Sequence, residues 1–467
     1  MLDQALLAEI VQFTYSKGID FAEIYVEEKL ASSIFCEDDQ IEKVHSGRER
    51  GAGIRVVKDY NTAYVYTNDL SRKGLMKAAG VARDAIGGRP SAIPQLINLT
   101  QKEAAFHIAY QRLPVEVAFE EKIQYVMQAN QAARRVSGLI RQVTVAAADV
   151  HKKIQIANSA GELIEDDRTR VRLLVNTVSE SNGIIQTGYE SAGGVCGWEL
   201  LEQVSFDDIA VKAAELSVRM LSAKPAPAGR MTVVMSSEAG GTMVHEACGH
   251  GLEADLIQKG LSVYRGKIGV QVAASGVSVI DDATISNKYG SFRFDDEGTP
   301  GQRTVLIEDG ILINYLYDRL TAQKDGRIST GNGRRESYQH KPVVRMSNTL
   351  ISPGQENPEE IIAATSSGLL VKKMGGGQVN TTNGDFVFDV QEGYLIQDGK
   401  IKYPVRGATL TGNGPMALAN IDKVGNDLGF SIGVCGKDGQ GVPVSDAQPT
   451  IRIKELTVGG TMVSSGQ

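Results

Sequence analysis

The sequence predicts an α+β protein: an N-terminal α/β domain of helix-then-strands units, then a C-terminal β-rich, barrel-like domain with one helix packed on its sheet. Three observations carry this. The first 222 residues alternate between helical periodicity and apolar–polar alternation. A segment punctuated by proline and glycine, 223–230, then interrupts the chain. Beyond it come many short strand-like segments with Asp-Gly turns, and the 51 glycines cluster in this half.

Taken in order, residues 3–16 place Leu6, Leu7, Ile10, Val11 and Phe13 at near-helical spacing and stop at Lys17-Gly18. Segments 22–27, 33–36 and 41–44 read as a strand meander, and 51–57 and 63–66 flank the turn Asp59-Tyr60-Asn61 as a hairpin. Residues 70–86 form a second amphipathic helix closed by Gly87-Gly88. Pro90, Pro94 and Pro114 mark 89–114 as an extended connector. A helix at 115–135 follows, then strands near 138–149, 151–158, 162–165 and 168–177, and a helix at 205–222. This second round loosely resembles the first, so an internal duplication stands beside plain local alternation as a reading.

The domain division expected is therefore 1–222, a linker at 223–230, and 231–467. In the second half Met231-Thr232-Val233-Val234-Met235 is a short buried strand, and Ser236 or Ser237 can cap the helix after it, which ends before Gly260. Strands are expected at 276–280, 303–308, 311–316, 342–348, 368–374, 385–397, 400–403 and 449–457, with tight turns at Asp309-Gly310 and Asp398-Gly399. Together they describe a mixed or antiparallel, barrel-like β assembly.

At 467 residues the chain exceeds one usual core, and 42% apolar with 22% charged residues is ordinary for a soluble globular protein. Lys plus Arg is 49 against 56 acidic residues, a net charge of −7, which argues against nucleic acid as a general partner. No apolar run approaches the roughly 18 residues of a membrane span, and Met1-Leu2-Asp3-Gln4 lacks the basic start of a secretion signal. The four cysteines, 36, 196, 248 and 435, are scattered without close pairs. A cytoplasmic protein away from membranes is expected.

The stretch that carries chemistry is Val244-His245-Glu246-Ala247-Cys248-Gly249-His250-Gly251-Leu252-Glu253. It sets two of only six histidines around a glutamate, in a His-Glu-x-x-x-His pattern one residue longer than the zincin motif. Neutral imidazoles bind zinc, and a glutamate that is not a ligand can take a proton from the water that zinc activates. Chance placement of two core histidines is the plainer alternative. In a regular helix, positions i and i+5 diverge by about 140°, so both imidazoles reach one ion only if the backbone widens. A π-like turn or an early break at 248–251 is expected, with Gly249 and Gly251 permitting it.

Catalytic zinc usually takes three protein ligands and keeps a fourth position for water. Candidates for the third are Cys248, Cys435 in the glycine-flanked Gly433-Val434-Cys435-Gly436, and Glu253; spacing alone rates the two cysteines equally and Glu253 behind them. Asp255 or Glu253 can instead orient an imidazole. For the oxyanion, Arg334, Arg335, Tyr338 and His340 form a cluster that more often would be a solvated loop. Gly375 to Asn380 reads either as a strand edge open to a peptide or as a flexible loop. His45, His107 and His151 stand alone on different elements and read as surface or satisfied histidines.

His245 to Glu253, Pro404-Val405-Arg406-Gly407-Ala408-Thr409-Leu410, Gly425-Asn426-Asp427-Leu428, Cys435-Gly436-Lys437-Asp438-Gly439-Gln440 and Thr457-Val458-Gly459-Gly460 together resemble the TldD branch of the TldD/PmbA family of metallopeptidases. The resemblance runs over essentially the whole chain. It implies Zn2+ held by His245, His250 and Cys435, with Glu246 as the catalytic base and Cys248 left to packing. It implies a peptidase acting on unfolded or leader peptides, working as a dimer with itself or with a PmbA (TldE) partner that lacks the motif, the 1–222 half serving dimerisation or a chamber wall. The competing expectation is a regulatory, gyrase-modulator-like binding protein with a structural zinc; an amidase on small molecules is a third.

Overall fold

The computed structural model describes residues 1–88 and 96–460. Part of the expected connector, 89–95, lies outside them.

Long hairpins build the first sheet. Strand Phe21–Glu37 runs antiparallel to Gln40–Lys58, the reversal made by Asp38 and Asp39 in left-handed backbone at φ 47 and 65, a conformation that aspartate tolerates better than most residues. Ile140–Asn158 and Glu162–Ser181 form a second hairpin. The two rounds of helix and strands meet in one seven-stranded sheet, Phe21–Glu37 pairing along its length with Ile140–Asn158. Helices Gln4–Thr14 and Arg72–Ala85 bury Leu7, Ile10, Leu75 and Ala79 against one end. Helices Phe119–Arg135 and Phe206–Leu221 bury Val126, Ala129, Ile209 and Ala213 against the other.

Segments expected as several short strands are continuous here. The sequence hides this because the arm 40–50 is exposed almost throughout, so its side chains follow no apolar alternation.

In the second half five strands close on themselves: Ser367–Asn380, Gly229–Met235, Ile451–Gly459, Thr409–Asn413 and Asp385–Gln397, with Ser367–Asn380 and Asp385–Gln397 completing the ring. A closed barrel removes most of the open edge that a sheet otherwise presents. Val233, Leu369, Val371, Phe388 and Ile453 join one apolar core with Val244, Ala247 and Cys248 of the histidine segment, so that segment is anchored on the barrel. Beside the barrel lies a six-stranded sheet with Gly429–Lys437 at one edge, paired among the described strands only with Gln440–Gln448.

The two halves are joined by buried ion pairs. Arg335 Nη2 lies 2.6 Å from Glu23 Oε1 and Arg168 Nη1 2.7 Å from Asp296 Oδ1. Removing one partner of such a pair strands a charge and costs about 3–5 kcal/mol. None of the helices among the described residues is long and apolar enough to cross a membrane.

Candidate metal centre

The histidine segment begins as a helical turn at Thr242–Val244, widens into a π-helical turn at His245–Gly249 and tightens into a 3-10 turn at His250–Leu252. The backbone N–H of His250 donates to the carbonyl of His245, the i to i+5 bond of a π turn. That bond absorbs the additional residue, so the two rings lie on one side, centroids 4.9 Å apart and planes at 88°. The expected distortion at 248–251 thus falls where the π turn of 245–249 gives way to the 3-10 turn of 250–252, the widening itself beginning earlier, at His245. Gly249 keeps an ordinary right-handed helical backbone (φ −51, ψ −59). Its missing side chain makes room instead: a Cβ there would overlap Met346 Sδ. The serine cap is not made either, since Gly240 at φ 67 turns the chain before Thr242.

Cys435 is not in a loop. It lies in the strand Gly429–Lys437, whose glycines mask an edge strand because they contribute no side chain to an alternating pattern. Its Sγ is 3.2 Å from His245 Nε2 and 3.4 Å from His250 Nε2, and these three atoms lie within 4.8 Å of one another. Zinc bonded at about 2.0–2.1 Å to nitrogen and about 2.3 Å to sulfur in a tetrahedron would set such donors about 3.4–3.6 Å apart. The donor set fits the ion, and its third member is the distant cysteine. Cys248 points away, bonded to the Val244 carbonyl at 3.3 Å, and burial pushes its thiol up to about 12.

Each imidazole is also held from its other nitrogen. His245 Nδ1 lies 2.7 Å from Asp446 Oδ1, and His250 Nδ1 lies 3.2 Å from Glu253 Oε2. A carboxylate that accepts a hydrogen bond from Nδ1–H leaves the Nε2 lone pair free for a metal and fixes the ring plane. Glu253 therefore lies behind an imidazole, at Nδ1, and not with the three donor atoms. Asp255 does not touch an imidazole: it receives Lys437 Nζ at 2.7 Å, and the same ammonium reaches Glu253 Oε2 at 2.9 Å and the Val344 carbonyl at 3.0 Å.

The electrostatics follow from this packing. Burial alone would lower the histidine pKa values, but Asp446 and Cys435 hold His245 well above 6.5, and Glu253 and Cys435 hold His250 at about 9. Burial would raise the Cys435 thiol, yet the two imidazoles draw it down to about 5. A cation at the three donors would compete with protons for the Cys435 sulfur and the two Nε2 atoms and leave each Nδ1 on its carboxylate. The Glu246 carboxylate makes no hydrogen bond among the described residues, and burial raises its carboxyl above 4.5, opposed by the two imidazoles.

Asp446, Lys437 and Arg345 were not singled out by sequence. Arg345 is fully buried and donates to the carbonyls of Cys435 and Gln440, which fixes the tip of the Gly429–Gln448 hairpin. Asp446 did leave a signal, an acid in register with Val442 and Val444 on the inward face of a strand.

The cluster at 334–340 is not in the cleft. Arg335 is spent on Glu23 and the Asp296 carbonyl and the Tyr338 carbonyl accepts from Tyr64, so these two residues join the halves, while Arg334 is spent within the second half on the carbonyls of Met346 and Pro443. His340 Nδ1 meets Ser337 Oγ at 3.1 Å. His45 and His107 are exposed, and His151 is buried against Thr169.

The centre opens into a cleft of about 760 Å³ lined by Glu246, the strand stretch around Lys373 and Gln378, and the strand stretch around Ile432 and Lys437. Ser367–Asn380 pairs with Gly229–Met235 only through Gly368–Val371, so past Val371 one of its edges meets none of the described strands. Gly375 to Asn380 is thus strand, not flexible loop.

Compared with known proteins, the sequence matches models of PmbA/TldA metallopeptidase domain 1 over 22–86, the central domain over 112–221 and the C-terminal domain over 228–460. A metalloprotease TldD homolog of Haemophilus influenzae is 38% identical, the match covering 98% of this chain and 97% of the relative. A metalloprotease of Methanothermobacter thermautotrophicus is 38% identical over 95% of this chain and 96% of its own length. Among solved structures, a Thermotoga maritima protein described as a proposed modulator of a DNA gyrase superposes with TM-score 0.80 at 22% identity, covering 98% of this chain and 100% of that one. TldE from Thermococcus kodakarensis gives 0.77 at 17%, covering 97% and 100%. At these identities the two structures speak to fold alone.

Proposed function

The chain belongs to the PmbA/TldD family of metallopeptidases, and from that premise we propose a zinc peptidase in which His245, His250 and Cys435 are the ligands and Glu246 is the general base. The observation that carries this reading is the paired arrangement of the imidazoles, each Nδ1 on a carboxylate and each Nε2 facing the Cys435 sulfur. A bound zinc ion supplies Lewis acidity and a water acid enough to ionise near neutral pH. Glu246 takes the proton of the attacking water and returns it to the leaving amine.

The open edge beyond Val371 faces this chemistry across the cleft. An extended peptide adding to it gains main-chain hydrogen bonds that ask little of side-chain sequence, which suits unfolded or leader peptides. The division at 223–230 belongs to the same proposal, with 1–222 as chamber wall or pairing surface toward a second copy or a TldE-like subunit. A cytoplasmic setting agrees with four cysteines that are all free. The regulatory alternative, with a structural ion, calls for four protein ligands, and three come together among the described residues.

The test is metal analysis combined with cleavage of an unstructured peptide by wild type and Glu246→Gln. The variant is expected to retain one zinc per chain and lose at least about 10²-fold in kcat. Full activity in that variant would remove Glu246 from the mechanism.

A further inference from the structure

We propose that Lys437 is a positioning residue of the metal centre, acting on His250 through Glu253. The proposal rests on the zinc-site reading above and extends it to a residue outside the ligand set. Lys437 lies two positions after Cys435 on one strand, so alternation sends both side chains to the same face. That face meets His250 from both sides: Cys435 Sγ at Nε2, 3.4 Å away, and Lys437 at Nδ1 by way of the Glu253 carboxylate.

Glu253 explains why a cation is required there. Its side chain is 0% exposed, its Oε1 has no hydrogen-bond partner among the described residues, and its Oε2 serves His250 and Lys437 together. A buried carboxylate stays ionised only when a positive group compensates it. The Lys437 ammonium does so with all three protons placed, on Glu253, Asp255 and the Val344 carbonyl. Arg345 also faces Glu253, but its guanidinium is bonded to the carbonyls of Cys435 and Gln440. With Lys437 removed, Glu253 is left with its charge poorly matched and no tether, and His250 loses the acceptor that sets its tautomer and ring plane.

The experiment measures zinc affinity by competition with a chromophoric chelator, together with the visible spectrum of the cobalt(II)-substituted protein, in wild type, Lys437→Met and Lys437→Met/Glu253→Gln. Lys437→Met is expected to weaken zinc binding roughly 10–100-fold and to alter the cobalt bands. The double variant is expected to recover most of the loss, because a neutral glutamine oxygen still accepts from His250 Nδ1 and needs no cation. Unchanged affinity in Lys437→Met, or a double variant as weak as the single, overturns the proposal. If Lys437→Met does not fold, Lys437→Gln takes its place with the same expectation and the same overturning result. Failure of the zinc-site reading looks different: wild type itself would bind no zinc.

Discussion

Asp446 Oδ1 lies 2.7 Å from His245 Nδ1 although 201 positions separate the two residues. One hairpin, Gly429–Gln448, therefore carries both the sulfur that faces the imidazoles and the carboxylate that orients one of them. The centre forms only when that hairpin docks on the histidine segment.

Asp446→Ala is accordingly expected to lower zinc affinity roughly 10–100-fold while the protein still folds. Chelator competition measures the affinity, and circular dichroism checks the fold. Wild-type affinity in the variant would show that Asp446 does not orient the ring.

Much of this centre was legible from residue order alone. His245 and His250 announce themselves because they are two of six histidines set closely around Glu246, and their five-residue spacing calls for a widened turn. Cys435 was not separable from Cys248 by spacing; the family resemblance pointed to Cys435, and the strand that carries it across the fold brings its sulfur to the imidazoles while Cys248 is turned into the core. Asp446 and Lys437 each sit on a strand whose partner could not be inferred from local pattern. Arg334 and Arg335 were hard to place for the same reason: a pair of arginines in a glycine-rich stretch looks solvated until Glu23 arrives from the first half of the chain for Arg335 and the Met346 and Pro443 carbonyls close around Arg334.

A second prediction concerns the way peptides bind. If substrate lies along the free edge of Ser367–Asn380, methylation of alternate peptide nitrogens blocks its hydrogen bonds. Each blocked bond that leaves a carbonyl unpaired costs about 1–3 kcal/mol, so KM should rise on the order of tenfold or more for one set of alternate positions and much less for the other. Equal effects at every nitrogen would argue against strand addition.

Asp318 supplies a test away from the metal. Its carboxylate caps the helix Arg319–Lys324, accepting from Thr321 N at 2.7 Å and Thr321 Oγ1 at 2.6 Å. Burial, and then the charge of Glu297, raise its pKa from 3.8 to about 6. A carboxyl raised by folding contributes stability below its unfolded pKa and loses that contribution as pH rises through the folded value. Asp318→Asn keeps the cap and removes the charge. Its stability relative to wild type should grow between pH 4 and pH 7 by on the order of 1–3 kcal/mol, read by urea unfolding at several pH values. A difference that does not change with pH would contradict this.

The most direct measurement is zinc-edge X-ray absorption on the purified protein. The account predicts one zinc per chain with two nitrogen scatterers from imidazole at about 2.0–2.1 Å and one sulfur at about 2.3 Å, the sulfur lost in Cys435→Ser. A first shell without sulfur in the wild-type protein would contradict it.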